Sequence, residues 1–270
     1  EDLFITGDFC SSQLFRNLEG KGWKDVTRES GLGTDENGMG SVVEDLDGDG
    51  HLDWFVSAIS YPSDEEVCPV PMFTVGCTGN RLFLGDGKGR FTDATDRFGV
   101  RDGGWGWGAV GQDLNDDGHR DLFQVNGFRE LGGQYGQTDS NSASFRAYFD
   151  DDPNRLFLGN PDGTWPEAAE LVGITERSNG KAVVAFDADG DGDLDLVIVP
   201  TEDPPVMYRN DTPAGPTTHR LTIRLREPDG ANRFAIGAVV LADLGDGKPR
   251  RRLQVHASGS FQSGDPTDLH

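Results

Sequence analysis

Three nine-residue segments constrain this chain more than anything else in it: Asp45-Leu46-Asp47-Gly48-Asp49-Gly50-His51-Leu52-Asp53, Asp113-Leu114-Asn115-Asp116-Asp117-Gly118-His119-Arg120-Asp121 and Asp187-Ala188-Asp189-Gly190-Asp191-Gly192-Asp193-Leu194-Asp195. Each reads D-x-[DN]-x-D-G-x-x-D, with oxygen-bearing side chains at positions 1, 3, 5 and 9 and a glycine at position 6. Those oxygens can converge on one point only if the chain turns tightly between them. Gly50, Gly118 and Gly192 allow the backbone angles that such a turn needs. Hard oxygen donors on a flexible loop suit Ca²⁺, which takes about six to eight of them.

The expected ligands are the side chains of Asp45, Asp47, Asp49 and Asp53, of Asp113, Asn115, Asp117 and Asp121, and of Asp187, Asp189, Asp191 and Asp195. The residue at position 7 (His51, His119 or Asp193) is expected to contribute its backbone carbonyl, with the two imidazoles turned outward. That makes about three Ca²⁺ sites. The second, with an amide in place of one carboxylate, is expected to be the weaker binder. An EF-hand is excluded, because its loop needs a glutamate at position 12 and a helix on either side. Position 12 here is Val56, Gln124 and Ile198, and the flanks read as strands. A metal-free Asx-turn hairpin is the plain alternative for a single copy. Three copies in register weigh against it, because clustered carboxylates without a cation repel one another.

The loops belong to a longer internal repeat, with 68 residues from Asp45 to Asp113 and 74 from Asp113 to Asp187. Each copy opens on a short apolar strand (residues 13–17, 81–85 and 155–159), turns through glycine to an aromatic (Trp23, Phe91, Trp165) and places an acid two positions on (Asp25, Asp93, Glu167). A glycine beside an apolar residue follows (Gly31-Leu32, Gly99-Val100, Gly173-Ile174). A strand of small residues then runs into the acidic loop, and an apolar strand leaves it. Asp2-Leu3-Phe4-Ile5 matches Asp53-Trp54-Phe55-Val56, which makes Asp2 the ninth position of a loop.

Short strands, regular turn signals and no amphipathic helical period predict an all-β fold of β-propeller-like blades over residues 1–212. Within it fall a partial blade at 1–12, repeats at about 13–60, 80–127 and 154–200, and a partial copy at 205–212. The 38 glycines and 14 prolines, against 3 methionines, agree with a turn-dense β chain rather than a helical one. Insertions at about 57–80 and 126–154 follow the exit strands and are expected to project from one face. Beyond a Pro/Gly linker, residues 217–270 change character. Leu221, Ile223 and Leu225 alternate with polar residues, Arg250-Arg251-Arg252 is basic, and no acidic loop occurs, which predicts a small C-terminal β domain.

A net charge of −23 argues against nucleic acid or an anionic membrane surface as partner. No apolar stretch is long enough for a membrane-spanning helix. Glu1 is not a natural start, which leaves room for a removed leader and an extracellular, periplasmic or cell-surface location. In such a calcium-rich setting a Cys68–Cys77 disulfide is expected, a free-thiol pair being the alternative. Cys10 is left over, either as a buried thiol or for a partner outside the chain.

The succession L-F-x-[NG], G-x-G-x-[FW]-x-D, small-residue strand and D-x-[DN]-x-D-G-x-x-D resembles FG-GAP/VCBS repeats, the calcium-binding blades of integrin α-type propellers. The resemblance covers about residues 1–212. Residues 217–270 resemble the ASPIC/UnbV domain that follows such repeats in cartilage-acidic-protein-like secreted proteins. The matching residues are Asn232-Arg233, Ile236-Gly237-Ala238, Gly259-Ser260-Phe261, Ser263, Asp265, Leu269 and His270. The F-G-L-G continuation of that pattern is absent, which implies a truncated domain. Propellers of this type close with about seven blades, so the resemblance implies that other chains or segments complete the ring.

Together these readings predict a secreted calcium-binding scaffold for protein or glycan binding or adhesion, with calcium in a structural role. No catalytic constellation stands out. G-x-S-x-G is absent, Gly85-Asp86-Gly87-Lys88-Gly89 reads as a hairpin turn, and Pro249 after Gly247-Lys248 breaks a phosphate loop. Trp105, Trp107, Tyr135 and Tyr148 are candidates for a sugar-binding surface. Trp107 shares its strand position with Met39 and Lys181, which favours blade packing for it. The alternative is a carbohydrate-active, polysaccharide lyase-like enzyme, which needs a basic residue facing calcium or carboxylates in an open cleft.

Overall fold

Strand pairing follows the hairpins that the acidic loops close. The computed structural model describes residues 2–33, 35–61, 77–129, 147–213, 215, 218, 220–245, 247, 250–256, 259–264 and 266–270. β1 (Leu3–Ile5), β2 (Gln13–Asn17) and β3 (Trp23–Asp25) form a first antiparallel sheet. β4 (Gly38–Glu44) enters the first acidic loop and β5 (Asp53–Ala58) leaves it, paired with Glu44 opposite Asp53 and Val42 opposite Phe55. β6 (Arg81–Gly85) and β7 (Phe91–Asp93) complete that second sheet in the order β4-β5-β6-β7. One helical turn, α1 (Thr95–Phe98), precedes the restart of the pattern. β8 (Gly106–Gln112), β9 (Asp121–Asn126) and β10 (Arg155–Phe157) form the third sheet, and β11 (Gly180–Phe186), β12 (Asp195–Pro200) and β13 (Val206–Tyr208) the fourth. The architecture is nearly all β, in small antiparallel sheets consistent with propeller-like blades, with no closed barrel among the described residues.

The repeat is visible atom by atom. The acid after the aromatic has the same local task in each copy. Asp25 Oδ1 accepts the Thr27 N–H at 3.0 Å, Asp93 Oδ1 the Thr95 N–H at 2.9 Å and Glu167 Oε1 the Ala169 N–H at 2.9 Å. Thr27 and Thr95 then turn their hydroxyls to the amides of Leu14 and Leu82, which pins the turn to the start of β2 and β6.

The small-residue strands β4, β8 and β11 lie side by side at the centre. A Cβ on Gly40 would stand 2.2 Å from the Trp107 carbonyl oxygen, and one on Gly108 would stand 2.9 Å from that of Lys181. Any side chain there would push neighbouring blades apart. Apolar layers fill the space between sheets. Val42, Phe55 and Leu82 meet Ala109, Leu122, Phe157 and Trp165, while Val110, Phe123 and Leu156 meet Val183, Leu196 and Ile198. Phe55, Phe123 and Ile198 are fully buried, and each such side chain contributes about 1.5–3 kcal/mol.

Residues after the linker pair as β14 (Ile223–Arg224) with β17 (Asp268–Leu269) and as β15 (Val239–Ala242) with β16 (Arg251–Gln254). They are seated on the central strands. Ser260 Oγ accepts the amides of Ser41 at 3.2 Å and Ala109 at 2.8 Å, and Ser263 Oγ accepts that of Val183 at 3.1 Å. β4, β8 and β11 are edge strands, and bare edges invite foreign strands. The two serines occupy three of the exposed donors.

The bulk of both insertions, including Cys68 and Tyr135, lies outside the described residues, as does Asp265. Cys10 is a free thiol. The flank of the first insertion meets both the segment before β8 and the end of the second insertion. Ile59 bridges Trp105, the Ser60 N–H donates to Gly104 O at 2.7 Å, and the Tyr61 and Tyr148 rings lie 5.4 Å apart. Trp107 packs inside this layer, with its indole N–H on Gly127 O at 2.7 Å, so its place is structural. No helix among the described residues is long and apolar enough to cross a membrane.

Asp152 ties the second insertion to this layer, accepting the Trp105 N–H at 2.7 Å and lying 3.3 Å from Arg155 Nη2. Burial pushes its carboxyl up from 3.8 to about 6. A group raised in the folded state stabilises it below the unfolded value and loses that contribution as pH rises through the folded one. Asp152→Asn keeps an acceptor and removes the charge. Its stability relative to the parent protein is therefore expected to improve as pH rises from about 4 to about 6.5, read as the difference in urea midpoints across that range.

Candidate metal centres

The ninth carboxylate organises each acidic loop. Asp53, Asp121 and Asp195 are 0% exposed, and each uses both oxygens. Oδ2 accepts the second-position amide of its own loop, Leu46 at 2.8 Å, Leu114 at 2.8 Å and Ala188 at 2.9 Å. Oδ1 accepts an amide at the end of the third strand, Gly85 at 2.9 Å, Gly159 at 2.8 Å and Asn210 at 2.8 Å. One side chain thus closes the hairpin and sets the next strand against it. Asp2 makes the corresponding bond, accepting the Asn17 N–H on Oδ1 at 2.9 Å, as its alignment with Asp53 predicts.

The first carboxylate shapes the turn. Asp45, Asp113 and Asp187 accept the N–H of the sixth-position glycine at 3.1, 2.8 and 3.2 Å. The fifth-position carboxylate accepts the next amide but one in every loop, as Asp49 does from His51 at 2.8 Å. These bonds turn positions 1, 3 and 5 inward. Ligand oxygens of Asp45, Asp47 and Asp49 all lie within 4.8 Å of one another, and so do those of Asp187, Asp189 and Asp191. In the second loop Asn115 Oδ1 and Asp113 Oδ1 both receive the Asp117 N–H, which brings the three corresponding side chains to one turn. The ninth-position carboxylates stand behind these groups, bonded to amides.

The donor set fits a hard divalent cation. It offers oxygen alone, and Asp45 Oδ1 is buried with no hydrogen-bond partner. Burial raises the carboxyls of Asp45 and Asp47, and pushes Asp113 up to about 6, Asp121 to about 7 and Asp53 to about 8. Such groups gain from a nearby positive charge, which favours their ionised form. Three Asp converging at one turn, two of them raised by burial in the first loop, could hold a cation. Of the position-7 residues His51 is exposed, His119 half-buried, and Asp193 buried with its carboxylate on Arg220.

Sequence reasoning missed how the C-terminal segment engages these loops. The backbone N–H of Arg252 donates to Asp45 Oδ2 at 2.9 Å. Arg220 bridges the other two loops. Its Nε lies 2.6 Å from Asp116 Oδ2, its Nη2 2.9 Å from Asp193 Oδ2 and its Nη1 3.2 Å from Asp191 O. Asp116 adopts φ 58, a left-handed angle that aims its carboxylate out of the second loop toward this arginine. The only sequence signal was the surplus of arginine after the linker. Arg220 thus braces the second and third loops through side chains outside the candidate ligand sets, from a segment more than a hundred residues away from Asp116, while the Arg252 amide holds a candidate ligand, Asp45, in position.

A family model described as an FG-GAP-like repeat matches residues 1–56 and 136–198. Those stretches hold the first and third acidic loops, and the chain is similar to FG-GAP-like repeats there. The second loop, outside both stretches, is built from the same clips. No curated protein matches the chain.

Asp121→Ala leaves the amides of Leu114 and Gly159 unpaired in a buried place, and each buried orphan costs about 1–3 kcal/mol. A loss of about 2–4 kcal/mol is expected in urea denaturation. Measured in EDTA, that loss isolates the hydrogen-bonding role from any ligand role.

Proposed function

We propose that this protein is a calcium-stabilised β-propeller scaffold, exported from the cell, that presents its insertions to a protein or glycan partner. The convergence of the first-, third- and fifth-position oxygens within a turn, repeated along the chain, carries this reading. Calcium would be held by Asp45, Asp47 and Asp49, by Asp113, Asn115 and Asp117, and by Asp187, Asp189 and Asp191, with position 7 adding its carbonyl and position 9 supporting from behind or joining the shell. The ion would supply charge neutralisation where burial otherwise disfavours ionised carboxylates. Nothing in that role asks for chemistry, so the ion acts as a structural clamp.

The two insertions fit the role of partner surface. Both leave the same face, as the Tyr61–Tyr148 contact of their flanks supports. A Cys68–Cys77 disulfide would tether the first of them. Residues 217–270, with their ASPIC/UnbV-like motif, would brace the centre of the blades through Ser260 and Ser263.

Calorimetric titration of EDTA-treated protein is expected to show uptake of about three Ca²⁺, with the Asn115 loop the weakest. A site filled at about a hundredfold excess over its Kd adds about 2.7 kcal/mol to stability, so the melting temperature should rise with calcium. No uptake, with a melting temperature indifferent to EDTA, would overturn the reading. The carbohydrate-active alternative has one observation in its favour, His256 Nε2 lying 3.4 Å from Glu44 Oε1 at a cleft wall. Unsaturated products released steadily from acidic polysaccharides would favour it over the scaffold.

A further inference from the structure

The first acidic loop differs from the other two in how its leading carboxylate is held. In the second loop both oxygens of Asp113 accept amides of the loop itself, Oδ1 from Asp117 at 3.1 Å and Oδ2 from Gly118 at 2.8 Å. In the third, Asp187 accepts the Gly190 amide on Oδ1 at 2.7 Å and the Gly192 amide on Oδ2 at 3.2 Å. Asp45 breaks this pattern. Its Oδ2 accepts two amides, from Gly50 at 3.1 Å and from Arg252 at 2.9 Å. Its Oδ1 is buried with no hydrogen-bond partner, on a residue that is 3% exposed.

The C-terminal segment reaches Asp45 along β4. Ser260 Oγ accepts the Ser41 N–H at 3.2 Å, His256 Nε2 lies 3.4 Å from Glu44 Oε1, and the Arg252 N–H ends the series on Asp45. That last donor is main chain, since the Arg252 guanidinium turns to Gln254 Oε1 at 3.2 Å. β16 can spare the amide. Arg252 stands opposite Leu241 in a sheet of two strands, and its N–H points away from β15, as alternate residues of an antiparallel pair do.

A buried carboxylate oxygen that no donor reaches is costly. Ligand oxygens of Asp45, Asp47 and Asp49 lie within 4.8 Å of one another, so a cation at that turn would satisfy it. Two amides on Oδ2 fix the rotation of the carboxylate and keep Oδ1 out of the loop's own hydrogen bonding. An orientation set in advance raises affinity. We propose that the C-terminal segment is a positioning element for the first metal centre, so that cation binding in that loop and docking of Arg252, His256 and Ser260 strengthen each other. Such a coupling is equal in both directions. The first loop is then the tightest of the three, and its cation is the one the C-terminal segment responds to. The proposal rests on the calcium reading above and adds the part this segment plays in it.

The test is calorimetric titration with calcium chloride, together with amide hydrogen exchange, on the whole chain after EDTA treatment. In the unaltered protein, calcium is expected to slow exchange of the Arg252 amide at least about tenfold. Arg252→Pro deletes that one donor at a strand edge, where proline is tolerated, and Arg252→Ala keeps it. Arg252→Pro is expected to weaken the tightest site at least about tenfold, the usual cost of losing a group that orients a ligand, with the other two sites unchanged. Arg252→Ala is expected to leave all three unchanged. Equal weakening by both variants assigns the effect to the guanidinium and overturns the proposal. Calcium uptake that leaves the Arg252 amide exchanging as before also overturns it, whether or not the proline variant folds. In either of these cases the scaffold reading stands, whereas no uptake at all overturns both.

Discussion

A buried carboxylate held by two backbone amides is the bond on which the sheets depend. Asp53, Asp121 and Asp195 each join the second residue of a loop to the end of a strand some distance along the chain. A bond of this kind is weak in water, where both partners have other choices. Buried, it is costly to lose, because each amide left behind has no water to turn to. The acidic loop is therefore first a pin between strands, and Asp2 makes the corresponding bond to the Asn17 amide.

The centre depends on a different constraint, the closeness of approach. Gly40 and Gly108 let one strand lie against the carbonyls of the next, which leaves the amides on the inner edges uncovered by side chains. Ser260 and Ser263 fill that need from the C-terminal segment. The same segment reaches outward to all three loops, through the Arg252 amide and the Arg220 side chain. Acidic loops, central strands and C-terminal segment are consequently joined by shared hydrogen bonds. A change in the charge of a loop alters what Arg220 faces, and a change at Arg220 alters the posture of two loops.

Much of this was legible in the residues. The acidic motif, its spacing and the surrounding strand pattern pointed to paired strands at each loop, and the alignment of Asp2 with Asp53 carried through to the same hydrogen bond. Trp107, read as a packing residue from its match to Met39 and Lys181, does pack. Other features left no mark. Residue type does not distinguish position 9 from positions 1, 3 and 5, since all four are aspartate in two of the loops. Only the position of the third strand shows that the ninth uses both oxygens on amides and ties its loop to that strand. Arg220 and Ser260 were equally silent, because an arginine or a serine carries no period.

Local chemistry is what the amino-acid order determined by itself. Aspartates at alternate positions, a glycine to turn on and small residues beside it act over a few residues, so their pattern survives in one dimension. The tertiary structure alone decided which carboxylates converge, which strands lie close enough to demand glycine, and that a distant segment would cap the centre and grip the loops. Those outcomes depend on distances between residues far apart in the chain, as from Asp45 to Arg252 and from Asp116 to Arg220. The free energy of such contacts arises from burial and shared partners, which exist only once the blades are packed.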